Sequence, residues 1–187
     1  MIRNTLLLVL PLALVACGDP EPATEQQATA APSTNPSIER FGDAKLVVDA
    51  NGVGAKGAPM RFGAERAEVD AALEKAFGAP PEKSSNAECG AGPMDFSQFG
   101  PLQVGYQEGK LAGWFLKQGQ GVVTSDGVQP GTTTLDALKS ERQVQQIDTT
   151  LEGEFQYTTA DFGTITGFAA PDGAITGLAA GVTCFFR

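Results

Sequence analysis

The side chains of this chain that could do chemistry are few: three cysteines, scattered carboxylates and no histidine in 187 residues. Without histidine the commonest general base and metal ligand is missing, and Ser-His-Asp and Cys-His nucleophile arrangements are excluded. No two cysteines have Cys-x-x-Cys spacing, which argues against a zinc site or a redox-active site. We therefore expect no metal, no cofactor and no enzymatic activity.

Carboxylate pairs are the remaining catalytic option, since two acids can share the acid and base roles in glycoside hydrolysis. The candidates are scattered along the chain, and each has a simpler interpretation as a surface charge or a turn residue: Glu65, Glu68, Asp95 and Asp161. A histidine-free hydrolase that uses paired carboxylates therefore stays as an alternative to the main, non-catalytic interpretation.

Cys17 follows a segment, residues 1–16, that has the pattern of a secretory signal. Its apolar run of about ten residues is well short of the ~20 that a membrane-spanning helix needs. The order Leu14-Val15-Ala16-Cys17 resembles the lipobox of bacterial lipoproteins, and this resemblance implies removal of the signal and lipidation of Cys17. In that family Asp directly after the cysteine retains the protein at the inner membrane. Gly18 thus favours the outer membrane, while Asp19 leaves the sorting open.

Residues 17–37 are predicted to be the lipidated cysteine and a disordered tether. The stretch is rich in Pro, Ala, Thr, Gln and Glu and has no large apolar residue, so it cannot bury enough surface to offset its ordering entropy. Residues 38–187 are long enough for one globular domain. The net charge of −9 and the lack of basic runs interleaved with aromatics argue against nucleic acid as a partner. The expected partners are the membrane, through the N-terminal lipid, and an envelope protein.

Cys89 and Cys184 remain as a pair once Cys17 is assigned to lipid. In an oxidising compartment such a pair favours a disulfide, with two free thiols as the alternative. The bridge would close a long loop, which is worth about 4–5 kcal/mol in the chain-entropy argument. We expect it to fix the end of the chain to the first half of the domain.

Two segments follow the same order of elements. Val47-Val48 before Asn51-Gly52 recurs as Val122-Val123 before Asp126-Gly127, and each is a β-branched run that ends in a turn. A glycine-containing connection and then a helix follow each run, and an antiparallel meander follows each helix. The predicted fold class is therefore α+β, with two tandem helix-plus-antiparallel-β-meander repeats, over about 45–118 and about 120–187, that form one domain.

This order of elements, with the helix opening from Gly63 to Leu73 (Gly-Ala-Glu-Arg-Ala-Glu-Val-Asp-Ala-Ala-Leu), carries a family resemblance. From about Leu46 to Phe186 the chain resembles the fold shared by the β-lactamase inhibitor protein and the SmpA/OmlA lipoprotein of outer-membrane β-barrel assembly. The resemblance implies a protein-binding domain. No binding motif of either family can be placed on this chain residue by residue.

The site prediction concerns aromatic side chains. Adjacent aromatics in a strand point to opposite faces, so one residue of each pair, Trp114-Phe115 and Phe185-Phe186, is expected to face outward. An exposed aromatic patch is a credible protein-binding site, and burial in the core is the alternative. The candidate patch consists of four residues: Tyr106, Phe115, Tyr157 and Phe186.

Together these observations predict a lipid-anchored, periplasm-facing envelope protein whose domain is a non-catalytic protein-binding module. A purely structural role in the envelope is a second alternative to this interpretation, beside the hydrolase.

Overall fold

The computed structural model describes residues 44–55, 58–160 and 163–185, and strands dominate these ranges. In these ranges twelve strands form two sheets. Of the described residues, 46% lie in strands and only 14% in helices. The prediction of an α+β domain made of two helix-plus-meander repeats is therefore wrong about the fold class, because the domain is mostly β. Segments interpreted as connections form additional strands, since pairing with a neighbour satisfies backbone N–H and C=O groups that would otherwise be buried unpaired.

The smaller sheet has four strands in the order β3-β2-β1-β8. Within it, β1 pairs antiparallel with β2 and parallel with β8, so that Val47 lies beside Val123. The two valine runs that open the two halves of the chain are thus neighbours in one sheet. The bounds of its strands are β1 Leu46–Asp49, β2 Gly52–Ala55, β3 Ala58–Arg61 and β8 Val122–Thr124.

The hairpin of β2 and β3 is one of the segments that the sequence prediction treated as a connection. Its glycines at 52, 54 and 57 also match the Gly-x-Gly-x-x-Gly spacing of a dinucleotide loop, which the prediction overlooked. Gly52–Ala55 is a buried strand rather than a loop that opens a helix. The spacing therefore does not form a nucleotide site here.

The larger sheet is antiparallel throughout and has the order β4-β5-β6-β7-β12-β11-β10-β9. We call β4 to β7 the first meander and β9 to β12 the second meander. They join through β7 and β12 at the centre of the sheet. The strand bounds are β4 Glu82–Asn86, β5 Met94–Phe99, β6 Leu102–Gln107, β7 Lys110–Lys117, β9 Val144–Gln146, β10 Glu154–Thr158, β11 Thr164–Ala169 and β12 Ile175–Gly181.

Two helices lie in the described part of the chain. Helix α1, Arg66–Phe77, buries Val69 and Leu73 and ends at Gly78, whose φ of 78° suits a left-handed cap. Helix α2, Leu135–Glu141, begins where the Thr134 hydroxyl accepts a hydrogen bond from the backbone N–H of Ala137. Within the described residues, neither helix is long and apolar enough to cross a membrane.

The core lies between the two sheets and the helices. One cluster of buried side chains contains members of both sheets and of both helices. The indole N–H of Trp114 on β7 also donates a hydrogen bond to the carbonyl of Asp49, at 2.8 Å, which connects the larger sheet to β1. The main contributors are Leu46, Val48, Val53, Val69, Leu73, Leu102, Val104, Trp114, Leu116, Leu138, Phe155, Ile165 and Leu178.

Candidate binding surface

The larger sheet has an inner face, which packs on the core, and an outer face. Residues that pair across strands share a face, and successive residues alternate between faces. Leu116 is buried, so its neighbour Phe115 belongs to the outer face. The strand pairings place one row of side chains across the outer face: Gln98, Gln103, Phe115, Ala179, Thr166, Gln156 and Gln145.

The outer face of the first meander is covered by the end of the described chain. We call residues Val182 to Phe185 the strap. The backbone N–H of Val182 donates to the carbonyl of Ala112 at 2.9 Å, and a Cβ on Gly113 would collide with the Val182 carbonyl oxygen. Glycine at position 113 therefore lets the strap lie directly on the sheet.

The Cys89–Cys184 disulfide holds the strap at its far end, with the two Cα atoms 5.0 Å apart. The side-chain amide of Asn86 on β4 also donates to the Cys184 sulfur, at 3.4 Å. The predicted pairing of these two cysteines is therefore present, and it joins the strap to the loop between β4 and β5. Only a narrow gap of about 40 Å³ is left between the strap and the strands beneath it.

Three phenylalanines form an aromatic cluster where the strap meets the centre of the sheet. Phe115 of β7, Phe168 of β11 and Phe185 of the strap have ring centroids 5.0 to 6.0 Å apart, in edge-to-face arrangements. All three rings are partly exposed. The Lys117 ammonium lies 5.9 Å from the centroid of the Phe115 ring, so a positive charge borders the cluster. We call these three rings the phenylalanine cluster.

The outer face of the second meander is open and polar. Gln156 on β10 and Thr166 on β11 are joined by a hydrogen bond of 3.2 Å, and Thr158 and Thr164 beside them are exposed. Two shallow clefts of about 400 and about 490 Å³ lie on this surface. The two meanders thus present different outer faces to solvent.

A cleft of about 710 Å³ lies at one end of the first meander. Its walls include the loop that carries Cys89 and the turn between β6 and β7. Glu108 in that turn has a φ of 51°, which is a strained left-handed backbone for a residue other than glycine or asparagine. The carboxylates of Asp95 and Glu108 are the charged groups that line the cleft.

A buried charged cluster lies on the inner face beneath this cleft. The Tyr106 hydroxyl donates to Asp70 at 2.8 Å, and Arg66 stacks over the Tyr106 ring at 5.0 Å. Asp70 also contacts Lys83 at 3.3 Å and Arg66 at 3.5 Å, while Arg66 reaches Asp95 at 3.0 Å. Burial by itself raises the pKa of Asp70, but the Tyr106 hydrogen bond and the Lys83 charge outweigh it and hold the pKa below its usual value.

The second meander also has an arginine, an aspartate and a tyrosine close together. Arg142 contacts Asp126 at 2.8 Å and lies over the Tyr157 ring at 5.4 Å. The Tyr157 hydroxyl is buried and has no hydrogen-bond partner in the described part of the chain. Burial, with the nearby Asp126 charge, raises the pKa of Tyr157, and burial and Asp70 raise that of Tyr106.

The structure therefore separates the four aromatics of the predicted patch. Tyr106 and Tyr157 are only 1% and 3% exposed and belong to the core, because they pair with the buried residues Leu111 and Ile165 on the inner face. Phe115 does face outward, and it is part of the phenylalanine cluster. Phe186, like the lipidation candidate Cys17, lies outside the described residues.

Phe168 and Phe185 are the aromatic residues that the site prediction left out. Alternation contains a signal for Phe168, which lies between the buried residues Gly167 and Ala169, and for Tyr106, which follows Leu102 and Val104 at every second position. The contact of Phe185 with a strand that precedes it by 17 residues has no such local signal.

Two of the carboxylates considered for catalysis contact a cation rather than one another, and Glu68 is exposed in the first turn of α1. Glu65 is paired with Lys110, and Asp95 with Arg66. Asp161 lies outside the described residues. Among the residues that the structure describes, no group of three or more His, Cys, Asp or Glu side chains is placed to hold a metal ion.

Comparison of the chain with protein-family models, with curated proteins and with solved structures finds no match.

Proposed function

We propose that this chain is a lipid-anchored, periplasm-facing envelope protein, and that its domain binds another envelope protein at the phenylalanine cluster. The observation that carries the proposal is the cluster itself: three partly exposed rings on the outer face of a paired sheet. Aromatic side chains at a surface are the residues that most often dominate protein interfaces. Lipidation of Cys17, at the outer membrane in preference to the inner membrane, would keep the domain next to membrane-bound partners.

The surroundings of the cluster support a protein ligand. Lys117 adds a cation at its border, and the strap and the paired strands supply rigid walls. A pre-formed surface avoids part of the ordering entropy that binding would otherwise cost.

Photocrosslinking in intact envelopes tests this binding. A photoreactive amino acid at Lys117 lies beside the cluster, and the matched control places it at Glu74, which is exposed on α1. We expect one protein to be captured from position 117 and not from position 74, with a lower yield in a Phe185→Ala background. Equal capture from both positions, or a yield that Phe185→Ala leaves unchanged, would contradict the proposal.

The anchor is tested separately by labelling cells with a fatty-acid probe. Cys17→Ala should abolish the label and release the domain from the membrane fraction, whereas Cys89→Ala should keep the label. A labelled Cys17→Ala variant would disprove lipidation at this residue.

A further inference from the structure

The open outer face of the second meander is a continuous, uncharged surface. Its two clefts, of about 400 and about 490 Å³, share Gln156 and Thr164 and so form one track across β10, β11 and the start of the strap. Each cleft falls in the volume range of about 300–1,000 Å³ that is typical of ligand sites. We call this surface the amide-hydroxyl track.

The track lacks charged side chains among the residues that the structure describes. The chain has 13 basic and 22 acidic residues, yet the described lining of both clefts contains no Asp, Glu, Lys or Arg. An ionic ligand would lose hydration here without gaining a countercharge. The lining therefore matches a ligand that is uncharged.

The side chains of the track both donate and accept hydrogen bonds. Gln156, Thr158, Thr164 and Thr166 carry amides and hydroxyls, which have both functions. The hydroxyl groups of a sugar also donate and accept, so a row of sugar rings could bond to several of these side chains at once. The 3.2 Å bond between Gln156 and Thr166 holds two of them in fixed positions.

The backbone under the track favours a sugar over a peptide. Peptides that bind to sheets usually add a strand to an edge whose backbone groups are unpaired. At one end of the track lies β9, the edge strand of the sheet, which has only three residues. The rest of the floor consists of β10, β11 and β12, and each of these strands already has a neighbour on both sides. The binding groups that remain for a ligand are therefore side chains.

We infer that the amide-hydroxyl track is a binding site for an uncharged oligosaccharide or polysaccharide strand. The inference is independent of the protein partner proposed above, because the phenylalanine cluster does not line either cleft. A domain with both sites would connect an envelope protein to a neutral glycan.

The test is titration of the purified domain with three neutral probes, namely chitotetraose, cellotetraose and maltotetraose, followed by amide NMR. We expect saturable shifts at positions 156, 164 and 166 with at least one probe. Affinity should change by less than about twofold when salt is raised, because no charges are screened. The double variant Gln156→Ala/Thr166→Val should weaken binding by about tenfold or more through lost hydrogen bonds. Ser84→Ala, an exposed change on β4, is the matched control and should bind like the native chain.

Three results would overturn the inference. One is the lack of any shift with all three sugars at millimolar concentration. Another is binding that the double variant retains, while circular dichroism shows that both proteins are folded. The third is that a neutral peptide of Gly, Ser and Gln, similar in length to the sugars, binds as tightly as they do and loses its binding in the same double variant. This result would assign the track to a peptide. The phenylalanine cluster is untouched by these variants, so failure here leaves the crosslinking result at Lys117 unaffected.

Discussion

The two meanders occupy equivalent sides of one sheet, and they differ on both faces. On the outer face, the first meander is covered by the strap, whereas the second leaves the amide-hydroxyl track open. On the inner face, each has a tyrosine, an aspartate and an arginine together, but only the Tyr106 hydroxyl bonds to its aspartate. The same residue types therefore form a direct tyrosine–aspartate hydrogen bond in one half and not in the other, although the first half has its own buried hydroxyl without a partner among the described residues, that of Ser97.

This difference has a consequence for function. The first meander combines a disulfide, a strap and a buried charged network, all of which fix its shape. The second exposes neutral side chains on a floor of strands that are paired on both sides. We interpret the first as the rigid support of the phenylalanine cluster and the second as the surface that carries the amide-hydroxyl track.

The largest effect should come from removing the disulfide, which joins the strap to the β4–β5 loop of the first meander. The double variant Cys89→Ala/Cys184→Ala should lower the free energy of unfolding by about 4 kcal/mol, because the unfolded chain regains the freedom of a long loop. Urea denaturation measures this, with Cys17→Ala as a control that should change nothing. A loss below about 1 kcal/mol would show that the bridge adds little constraint.

Gly113→Ala tests whether the strap needs close approach to β7. Its Cβ would lie 2.8 Å from the backbone nitrogen of Val182 and closer still to the carbonyl oxygen, so we expect a loss of about 2–3 kcal/mol. Gly90→Ala is the matched control, because nothing lies within 4 Å of a Cβ there. Its effect should be smaller than about 1 kcal/mol. Equal losses for the two variants would argue against direct packing of the strap.

Removing one tyrosine hydroxyl at a time tests the difference between the two inner-face clusters. Tyr106→Phe leaves the buried Asp70 without its donor and should cost about 1–2 kcal/mol. Tyr157→Phe removes a hydroxyl that has no partner among the described residues and should change stability by less than about 0.5 kcal/mol. Both values come from chemical denaturation at neutral pH. A larger loss for Tyr157→Phe than for Tyr106→Phe would show that the Tyr157 hydroxyl, and not that of Tyr106, makes the stabilising hydrogen bond.

Acid titration should give the smallest effect, since Asp70 is one group among many carboxylates. Its pKa is lower in the folded protein than in the unfolded chain, so its contribution is present above the unfolded value of about 3.9. The contribution is lost as the pH falls below that value. Asp70→Asn should therefore flatten the loss of unfolding free energy between about pH 4 and pH 2. Asp136→Asn, an exposed change on α2, should keep the native slope.

Much of the local structure could be predicted from the chain. The stripe of Val69 and Leu73, with Gly78 after it, indicates α1, and the alternation of Leu102 and Val104 indicates β6. The fold class could not be predicted in the same way, because the β2–β3 hairpin has short strands with little periodicity. These strands form because β1 offers them an edge, and that edge exists only in the folded chain.

The candidate site shows the same division. Phe115 between the buried residues Trp114 and Leu116 has a local signal for the outer face. Tyr106 and Tyr157 also had such a signal, and it pointed inward. The phenylalanine cluster has no local signal as a unit, because it joins β7, β11 and the strap.

By itself the sequence determined the cysteine pair, the lack of histidine, helix α1 and the two valine runs that open the halves of the domain. These depend on residue type and on short spacings, which act over a few residues along the chain. Only the tertiary structure decided which face of the sheet the strap covers and which face stays open. That outcome depends on strand order and on the bonding of Cys184 to Cys89, 95 positions away, and long-range contacts of this kind leave no pattern in neighbouring residues.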